Sequence, residues 1–472
     1  YAIYEKMRLQ LRGLNQADNN AADGVSVLHT AEGAMEEIQS MLARMKELSV
    51  QAANGTNSVD ERSAIQSEID SLNSEIDRIS INTEFNSQTL SSGNLSRLFY
   101  SNYEGVNQIE VSDNFVAGNY GITITQDARQ AIVVGNGAVT MSDTATVTKE
   151  QAGTISMNGY GIEISEGDTL AGIMGKLVDG ADKIGGRVFA ITAGATNDTK
   201  VNGTDYAGYE PQTSYAGNNI VFMTKESGSS KTMNITCSNA ELANMLGIAT
   251  AATNSGMYAE GSDVQAEFTL DNDGKRVGFA DSAVISTSGT RVTVKDVNNR
   301  TFVTDVPSNV AGTQFSDTAK ADDKSTATST QTAKVTQEVT DVGTMSVHVG
   351  ANENQVILID IPAVTSYTLG TENLNVMTSV TASEAIDTID TAVAYANRVR
   401  SQMGAYENRF EHTTNNLGTA SENLTSAIST MTDTDMAEEM TEYTSLNVMT
   451  QAATSILAQA NERPSTVLQI LQ

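Results

Sequence analysis

The chain has 472 residues, length for roughly two to four domains, with 58 Asp and Glu against 28 Lys and Arg, a formal net charge of −30. That charge argues against nucleic acid and anionic membrane surfaces as partners. A lone cysteine, Cys237, cannot form an intramolecular disulfide, and no apolar run reaches the ~18 residues of a transmembrane helix. With no Trp and 5% aromatics, no large aromatic core is expected.

Proline placement outlines the chain. Pro211, Pro307 and Pro362 fall in the middle and Pro464 near the end, while 1–82 and 383–460 contain none, as long uninterrupted helices require. Tyr1–Leu28 reads as helix with apolar Ala2, Ile3, Met7, Leu11 and Leu14. Gly13 and Gly24 weaken it by about 1 kcal/mol each relative to Ala, so packing must hold it. Residue 1 is Tyr, and the first residues already read as mid-helix.

Residues 31–82 carry the clearest pattern. Ala31, Met35, Ile38, Leu42, Met45 and Ala52 recur in steps of four and three, with Ser49 in the one polar place; Ile65, Ile69, Leu72, Ile76 and Ile79 follow the same rule. Each helix thus has one narrow apolar seam. Asn54-Gly55 predicts a left-handed C-cap for the first helix, and Ser58 with Glu61 a capping box for the second. The pair cannot bury both seams by itself, so a partner must come from elsewhere in the chain.

The middle changes period. Tyr120–Thr125 and Ala131–Val134 read as strands, and Thr154–Ile164 as a hairpin around Asn158-Gly159. A helix capped by Asp168 is expected to Ile184, then strands at Arg187–Thr192, Asn219–Thr224 and Met233–Thr236 and a short helix at Ala240–Leu246. Strands follow at Glu267–Leu270, Val277–Phe279, Val284–Ser286, Val292–Lys295 and Thr301–Thr304. Asp271-Asn272-Asp273-Gly274 is read as a hairpin turn rather than a calcium loop, because the third ligand and the closing Glu are absent. Residues 313–340, rich in Thr, Ser, Ala, Asp and Lys, read as a solvated loop, and Thr344–Ile361 as a hairpin.

The partner comes next. From Ile389 a seam runs through Ala392, Ala396, Val399, Met403, Tyr406, Phe410, Leu417, Ala420, Leu424, Ala427 and Met431, with Thr413 the polar member, predicting one helix over 383–431. After a break at Met431–Asp435 a last helix presents Leu446, Met449, Ala453, Ile456 and Ala460 on one face. Asp433, Asp435, Glu438 and Glu439 at its start match the helix dipole better than a metal site. An apolar C-terminal segment with no core of its own calls for burial by other subunits.

Several stretches resemble one family: GLNQA at 13–17, LSVQAANGT at 48–56, EIDRI at 75–79, TEFN at 83–86, GAYENRF at 404–410, NNL at 415–417, ENL at 422–424, SILAQAN at 455–461 and VLQILQ at 467–472. They are similar to bacterial flagellin. The resemblance implies about 45 further residues before Tyr1. It also implies an α+β fold: a long antiparallel helical bundle or coiled coil from both chain ends, with β-rich outer domains inserted. On that reading 1–134 and 344–431 form the helical domain, 135–343 the outer part including an insert at 153–248, and 432–472 the innermost helix. The implied role is a filament subunit for swimming, exported through the flagellar type III apparatus to the cell exterior. Implied partners are other copies of itself, the flagellar cap and hook-associated proteins, and an export chaperone. Filament-core contacts are expected at Leu446, Met449, Ile456, Leu457, Val467, Leu468, Ile470 and Leu471. Recognition of the monomer by toll-like receptor 5 is carried to Arg44, Leu48 and Glu68, which also suit contacts between subunits. A hook–filament junction protein, or a filament subunit with adhesin-like binding at 153–343, are the competing readings.

Catalytic chemistry finds little support. His29, His348 and His412 are never spaced i, i+4, so there is no H-E-x-x-H, and neither a P-loop nor a G-x-G-x-x-G after a strand occurs. No enzyme activity, cofactor or metal is expected.

Overall fold

The computed structural model describes residues 2–112, 115–192, 215–248, 257–296, 300–308, 310–311, 314–316, 326–329, 332–340, 342–432 and 436–470. It begins with α1 (Ala2–Ala53) and α2 (Val59–Asn82), then β1 (Glu84–Phe85), β2 (Gln88–Thr89), β3 (Phe99–Ser101), β4 (Asn107–Val111), β5 (Gly118–Gln126) and β6 (Gln130–Val134). There follow β7 (Gly153–Met157), β8 (Tyr160–Ile164), α3 (Leu170–Lys183), β9 (Gly186–Thr192), β10 (Asn218–Ser227), β11 (Thr232–Cys237), α4 (Ala240–Met245) and β12 (Met257–Glu260). Next come β13 (Gln265–Phe268), β14 (Val284–Ser288), β15 (Arg291–Lys295), β16 (Thr301–Asp305), β17 (Gln314–Ser316), β18 (Thr326–Ser329) and β19 (Ala333–Val339). The chain closes with β20 (Met345–His348), β21 (Val356–Ile359), α5 (Ser366–Leu369), α6 (Ser379–Thr432) and α7 (Met436–Ile470). The class is α+β, with long helices at both ends and sheets between. Two compact units divide it: Tyr1–Val25, Val347–Ile357 and Asn408–Gln472 in one, Ser26–Ser346 and Leu358–Glu407 in the other.

In the larger unit α1 and α6 run antiparallel. Arg400 Nε meets Glu32 Oε1 at 3.1 Å, Lys46 pairs with Asp390, and Ser379 Oγ donates to the Ala53 carbonyl at 2.6 Å. The seams are buried where periodicity puts them: Ala31, Met35, Ile38, Leu42, Met45, Ser49 and Ala52 on α1, and Ile389, Ala392, Ala396, Val399, Met403 and Tyr406 on α6. On α2, Ile65, Ile69 and Ile76 are buried, but Leu72 and Ile79 are half-buried while Asn73 and Ser80 are buried beside them. This face meets backbone as well as side chains. Asn73 Nδ2 donates to the Thr371 carbonyl and Ser80 Oγ to that of Ser91, each at 2.7 Å.

The Ser58–Glu61 capping box forms as expected. The Gly55 cap does not: Gly55 is absent from the positive-φ glycines. The end of α1 is closed by side chains. Arg62 donates Nε to the Ala52 carbonyl at 2.8 Å and a terminal nitrogen to that of Asn54 at 2.9 Å, while Asn57 Nδ2 donates to Gln51. These carbonyls are helix-end acceptors, and a guanidinium satisfies two without a left-handed residue.

Two β cores follow. The first packs the antiparallel sheet β13-β5-β19-β3 against β14-β15-β16-β4. Strand β19 corrects the reading of 313–340 as loop. Ala333, Val335, Gln337 and Val339 alternate inward, and β19 is an inner strand between β5 and β3. Its period-2 pattern is short and surrounded by Thr and Ser, so composition masked it; 313, 317–325 and 330–331 of that stretch lie outside the described residues. Val277–Phe279 is not a strand but a turn-like segment in which Val277 donates its backbone N–H to Thr269. The expectation about aromatics also needs correcting. Phe115, Tyr120, Phe268, Phe279 and Phe302 gather in this core, with Tyr120–Phe279 ring centroids 5.1 Å apart. Composition averages over the chain and cannot report such concentration.

The second core joins β6-β10-β9 and β12-β11-β7-β8 with α3, which buries Leu170, Ile173, Met174 and Leu177. The N-cap of α3 is Thr169, not Asp168; Asp168 instead accepts from the Ser165 amide and from Lys176 Nζ. The cores are joined by two adjacent antiparallel crossings. Arg129 N–H donates to the Ser262 carbonyl at 2.8 Å and Ser262 N–H returns to Arg129 at 3.0 Å. Gly261 sits so tightly there that a Cβ would lie 2.4 Å from the Gly228 carbonyl oxygen and 2.5 Å from that of Arg129. The Asp263 carboxylate accepts from Ser229 N–H at 2.8 Å, Ser229 Oγ at 2.6 Å and Gly289 N–H at 2.7 Å.

The first core is tied to helices by polar contacts. Arg398 of α6 binds Glu110 of β4, Tyr395 Oη donates to the Ile109 carbonyl of β4 at 3.4 Å, and Arg291 donates to the Thr368 carbonyl of α5 at 3.0 Å. Ser366 of α5 donates to Asp77 of α2 through both N–H and Oγ, each at 2.7 Å.

In the smaller unit Phe410 is fully buried against Gly24, where a Cβ would come within 2.9 Å of the ring. Ala17, Ala21 and Leu417 are buried with it. Beyond Leu417 the α6 seam opens: Ala420, Leu424 and Ala427 are half-buried and Met431 exposed.

Candidate functional site

Helix α7 runs Met436–Ile470 and every one of its residues from 437 onward is exposed. Leu446 is 55% exposed, Met449 62%, Ile456 65%, Leu457 63%, Val467 55%, Leu468 63% and Ile470 85%. Leu471 lies outside the described residues, as do Asp433 and Asp435; Glu438 and Glu439 stand in the first turn, where their charge suits the helix dipole. Met440, Tyr443 and Val448, which periodicity did not single out, are equally exposed. At 100° per residue the seven lie within an arc of about 160°, and Met440, Tyr443 and Val448 carry the apolar surface beyond it. A helix apolar on several sides is one that is buried on several sides. Its threonines turn inward on their own backbone: Thr441, Thr444, Thr450 and Thr454 each donate Oγ1 to the carbonyl four residues back, leaving methyls outward. Pro464 removes one helix hydrogen bond without ending the helix.

The α1–α2 face carries the other candidates. Arg44 Nε donates to Glu68 Oε1 at 2.9 Å and a terminal nitrogen to Glu47 Oε2 at 3.2 Å. The bond to Glu68, then that to Glu47, raises the Arg44 pKa further above its already high value. Both partners are exposed, with side chains 50% and 45% accessible. Leu48 is only 2% exposed and belongs to the seam beneath them. The structure therefore brings Arg44 and Glu68 together at the surface and leaves Leu48 behind it.

Several of the residues considered for chemistry make structural contacts. His29 Nε2 lies 2.8 Å from Glu407 Oε1, and the His348 carbonyl accepts from Asn20 Nδ2 at 2.9 Å. Cys237 is half-buried against the second core, donates Sγ to the Asn239 carbonyl at 3.2 Å, and has its thiol pKa pushed up by burial. Asp271 Oδ1 accepts from the Asp273 and Lys275 amides, so that carboxylate shapes a turn. Among the described residues no group of three or more His, Cys, Asp or Glu could hold a metal ion, and no helix is long and apolar enough to cross a membrane.

Antiparallel end helices, β cores inserted between them and a terminal helix whose described apolar side chains lie exposed describe a subunit suited to assembly with others. Comparison with known proteins gives the family. The bacterial flagellin N-terminal helical region matches residues 1–96 and the bacterial flagellin C-terminal helical region matches 386–471. Flagellin of Clostridium tyrobutyricum is 30% identical over 470 residues, covering 98% of this chain and 87% of that protein. Flagellin of Salmonella typhimurium is 30% identical over 505 residues, covering 100% of this chain and 90% of that protein. Among solved structures, FliC from Burkholderia pseudomallei aligns over 82% of this chain and 99% of its own at 14% identity and a TM-score of 0.24. The chain belongs to the flagellin family. It is a structural subunit of the bacterial flagellar filament, exported to the cell exterior.

Proposed function

We propose that α7 is the surface through which copies of this chain pack in the filament, with Leu446, Met449, Ile456, Leu457, Val467, Leu468, Ile470 and Leu471 as its contacts. The observation that carries this is the exposure of the seven described members, all above one half. Burying such a side chain is worth ~1.5–3 kcal/mol. Seven together come to roughly 10–21 kcal/mol, of the same order as the ~4–15 kcal/mol that association costs. The helical ends 1–134 and 344–431 would then form the layer around α7, with 135–343 facing outward, and the role is mechanical rather than catalytic. Cap, hook-associated proteins and an export chaperone are the natural further partners of such a subunit. The double variant Ile456→Glu, Leu457→Glu, made in the complete protein, tests this. Electron microscopy should find no filaments while circular dichroism shows an unchanged monomer. Filaments of normal length would refute it.

A second reading concerns the monomer. The exposed Arg44–Glu68 pair supports recognition by toll-like receptor 5 at the α1–α2 face. Leu48 would support that face from below, so a charge at Leu48 would probe stability rather than contact. Arg44→Asp should lower monomer signalling at least tenfold, and unchanged signalling would end this reading.

A further inference from the structure

Four Asn-Gly pairs occur in the chain, of which Asn202-Gly203 lies outside the described residues. The other three stand in different surroundings. At Asn158-Gly159 the side-chain amide is clamped to β11: Nδ2 donates to the Thr232 carbonyl and Oδ1 accepts from the Asn234 N–H, each at 2.7 Å. Both residues have positive φ, as a tight hairpin turn requires. At Asn136-Gly137 the Gly137 N–H donates to the Gly247 carbonyl at 3.2 Å. The two backbones pack so closely there that a Cβ on Gly247 would lie 2.0 Å from the Gly137 carbonyl oxygen.

Asn54-Gly55 carries no such restraint. It forms no left-handed cap, both residues are exposed, and nothing lies within 4 Å of a Cβ built on Gly55. Among the described residues neither Asn54 Nδ2 nor the Gly55 N–H has a hydrogen-bond partner. The backbone folds into a tight turn, closed by the Asn57 N–H on the Asn54 carbonyl at 3.2 Å. Within it the Thr56 N–H donates to Asn54 Oδ1 at 3.3 Å, curling the side chain back over Gly55. The amide carbon is thereby brought to an unengaged backbone nitrogen, with a donor already on the oxygen that takes up charge when that nitrogen attacks.

We propose that Asn54 is a self-modification site, at which the chain deamidates itself with water as co-reactant. Hydroxide removes the Gly55 amide proton, the nitrogen bonds to Asn54 Cγ, and negative charge moves onto Oδ1 against the Thr56 N–H. The Cγ–Nδ2 bond then breaks and ammonia leaves with a proton from water, giving a cyclic imide. Water opens the ring at Cγ to give aspartate, or at the main-chain carbonyl carbon to give isoaspartate; nothing is oxidised or reduced. The second product puts an extra methylene into the chain and turns the carbonyl that Arg62 holds at 2.9 Å into a free carboxylate. Either product adds a negative charge at the C-terminal end of α1, where the helix dipole disfavours one.

Incubating the complete protein in oxygen-18 water at pH 8, then mapping its peptides by mass spectrometry after digestion at acid pH, tests this. Label should enter at Asn54 about tenfold or more faster than at Asn136 or Asn158, whose amide groups are held out of line. Gly55→Ala, which the open space around Gly55 accepts, should slow Asn54 by a similar factor because a methyl group shields the nitrogen. In guanidinium chloride the three sites of the parent chain should react at similar rates. Equal rates at the three sites in the folded protein would overturn the proposal. So would an Asn54 rate that rises on denaturation as much as the rates at Asn136 and Asn158, or one that Gly55→Ala leaves unchanged.

Discussion

Arg398 and Glu110 face each other through two hydrogen bonds, Nε to Oε1 at 3.1 Å and a terminal nitrogen to Oε2 at 2.7 Å, joining α6 to the first β core. They are unequally placed: the Glu110 side chain is 10% accessible and that of Arg398 41%. Removing the arginine strands a buried carboxylate, whereas removing the glutamate leaves a guanidinium that water can still reach. Arg398→Ala should cost about 2–3 kcal/mol and Glu110→Ala about 1 kcal/mol. Urea unfolding at pH 7 reads both; equal losses would mean the pair is solvated alike on both sides.

Two glycines of α1 should respond to alanine in opposite directions. At Gly33 no atom lies within 4 Å of an added Cβ, while at Gly24 the Phe410 ring stands at 2.9 Å. Gly33→Ala should stabilise by about 0.5–1 kcal/mol through helix propensity. Gly24→Ala should lose about 1–3 kcal/mol through overpacking against a fully buried ring. Thermal melting of the two variants decides, and a stabilising Gly24→Ala would mean that Phe410 can move aside at no cost.

Alkaline pH should loosen the clasp on α5. The Tyr367 hydroxyl donates to Asp305 Oδ2 at 2.6 Å, and burial, followed by that carboxylate, pushes its pKa up to about 12. A group whose folded-state pKa lies above its unfolded value of ~10 gives stability that is whole below pH ~10 and is lost as pH rises through about 12. Asp305→Asn should lower the tyrosine pKa and remove part of the stability loss between those limits. Spectrophotometric titration alongside unfolding measures both.

The helical frame was legible because its information is local. Met35, Ile38, Leu42 and Met45 declare one face by spacing alone, and Ser58 with Glu61 declares a cap within four residues. What sequence missed depends on distant partners. Arg62 gave no sign that it would reach back to Ala52, and Val335 in a Thr-rich stretch gave none that it would pair with Ile122, 213 positions earlier. The candidate assembly helix was visible as unshared apolar content; Leu48 was not visible as buried, because a seam residue and a surface residue look the same until the partner helix is placed.

The junction at Arg129 and Ser262 has a mechanical consequence. Its two crossings run antiparallel and side by side, bonded in both directions and pinned by Asp263 where Gly261 leaves no slack. A pull along them strains their bonds simultaneously, in shear, so none opens first and leads the others. A load on the second core is therefore passed to the first with little lost motion.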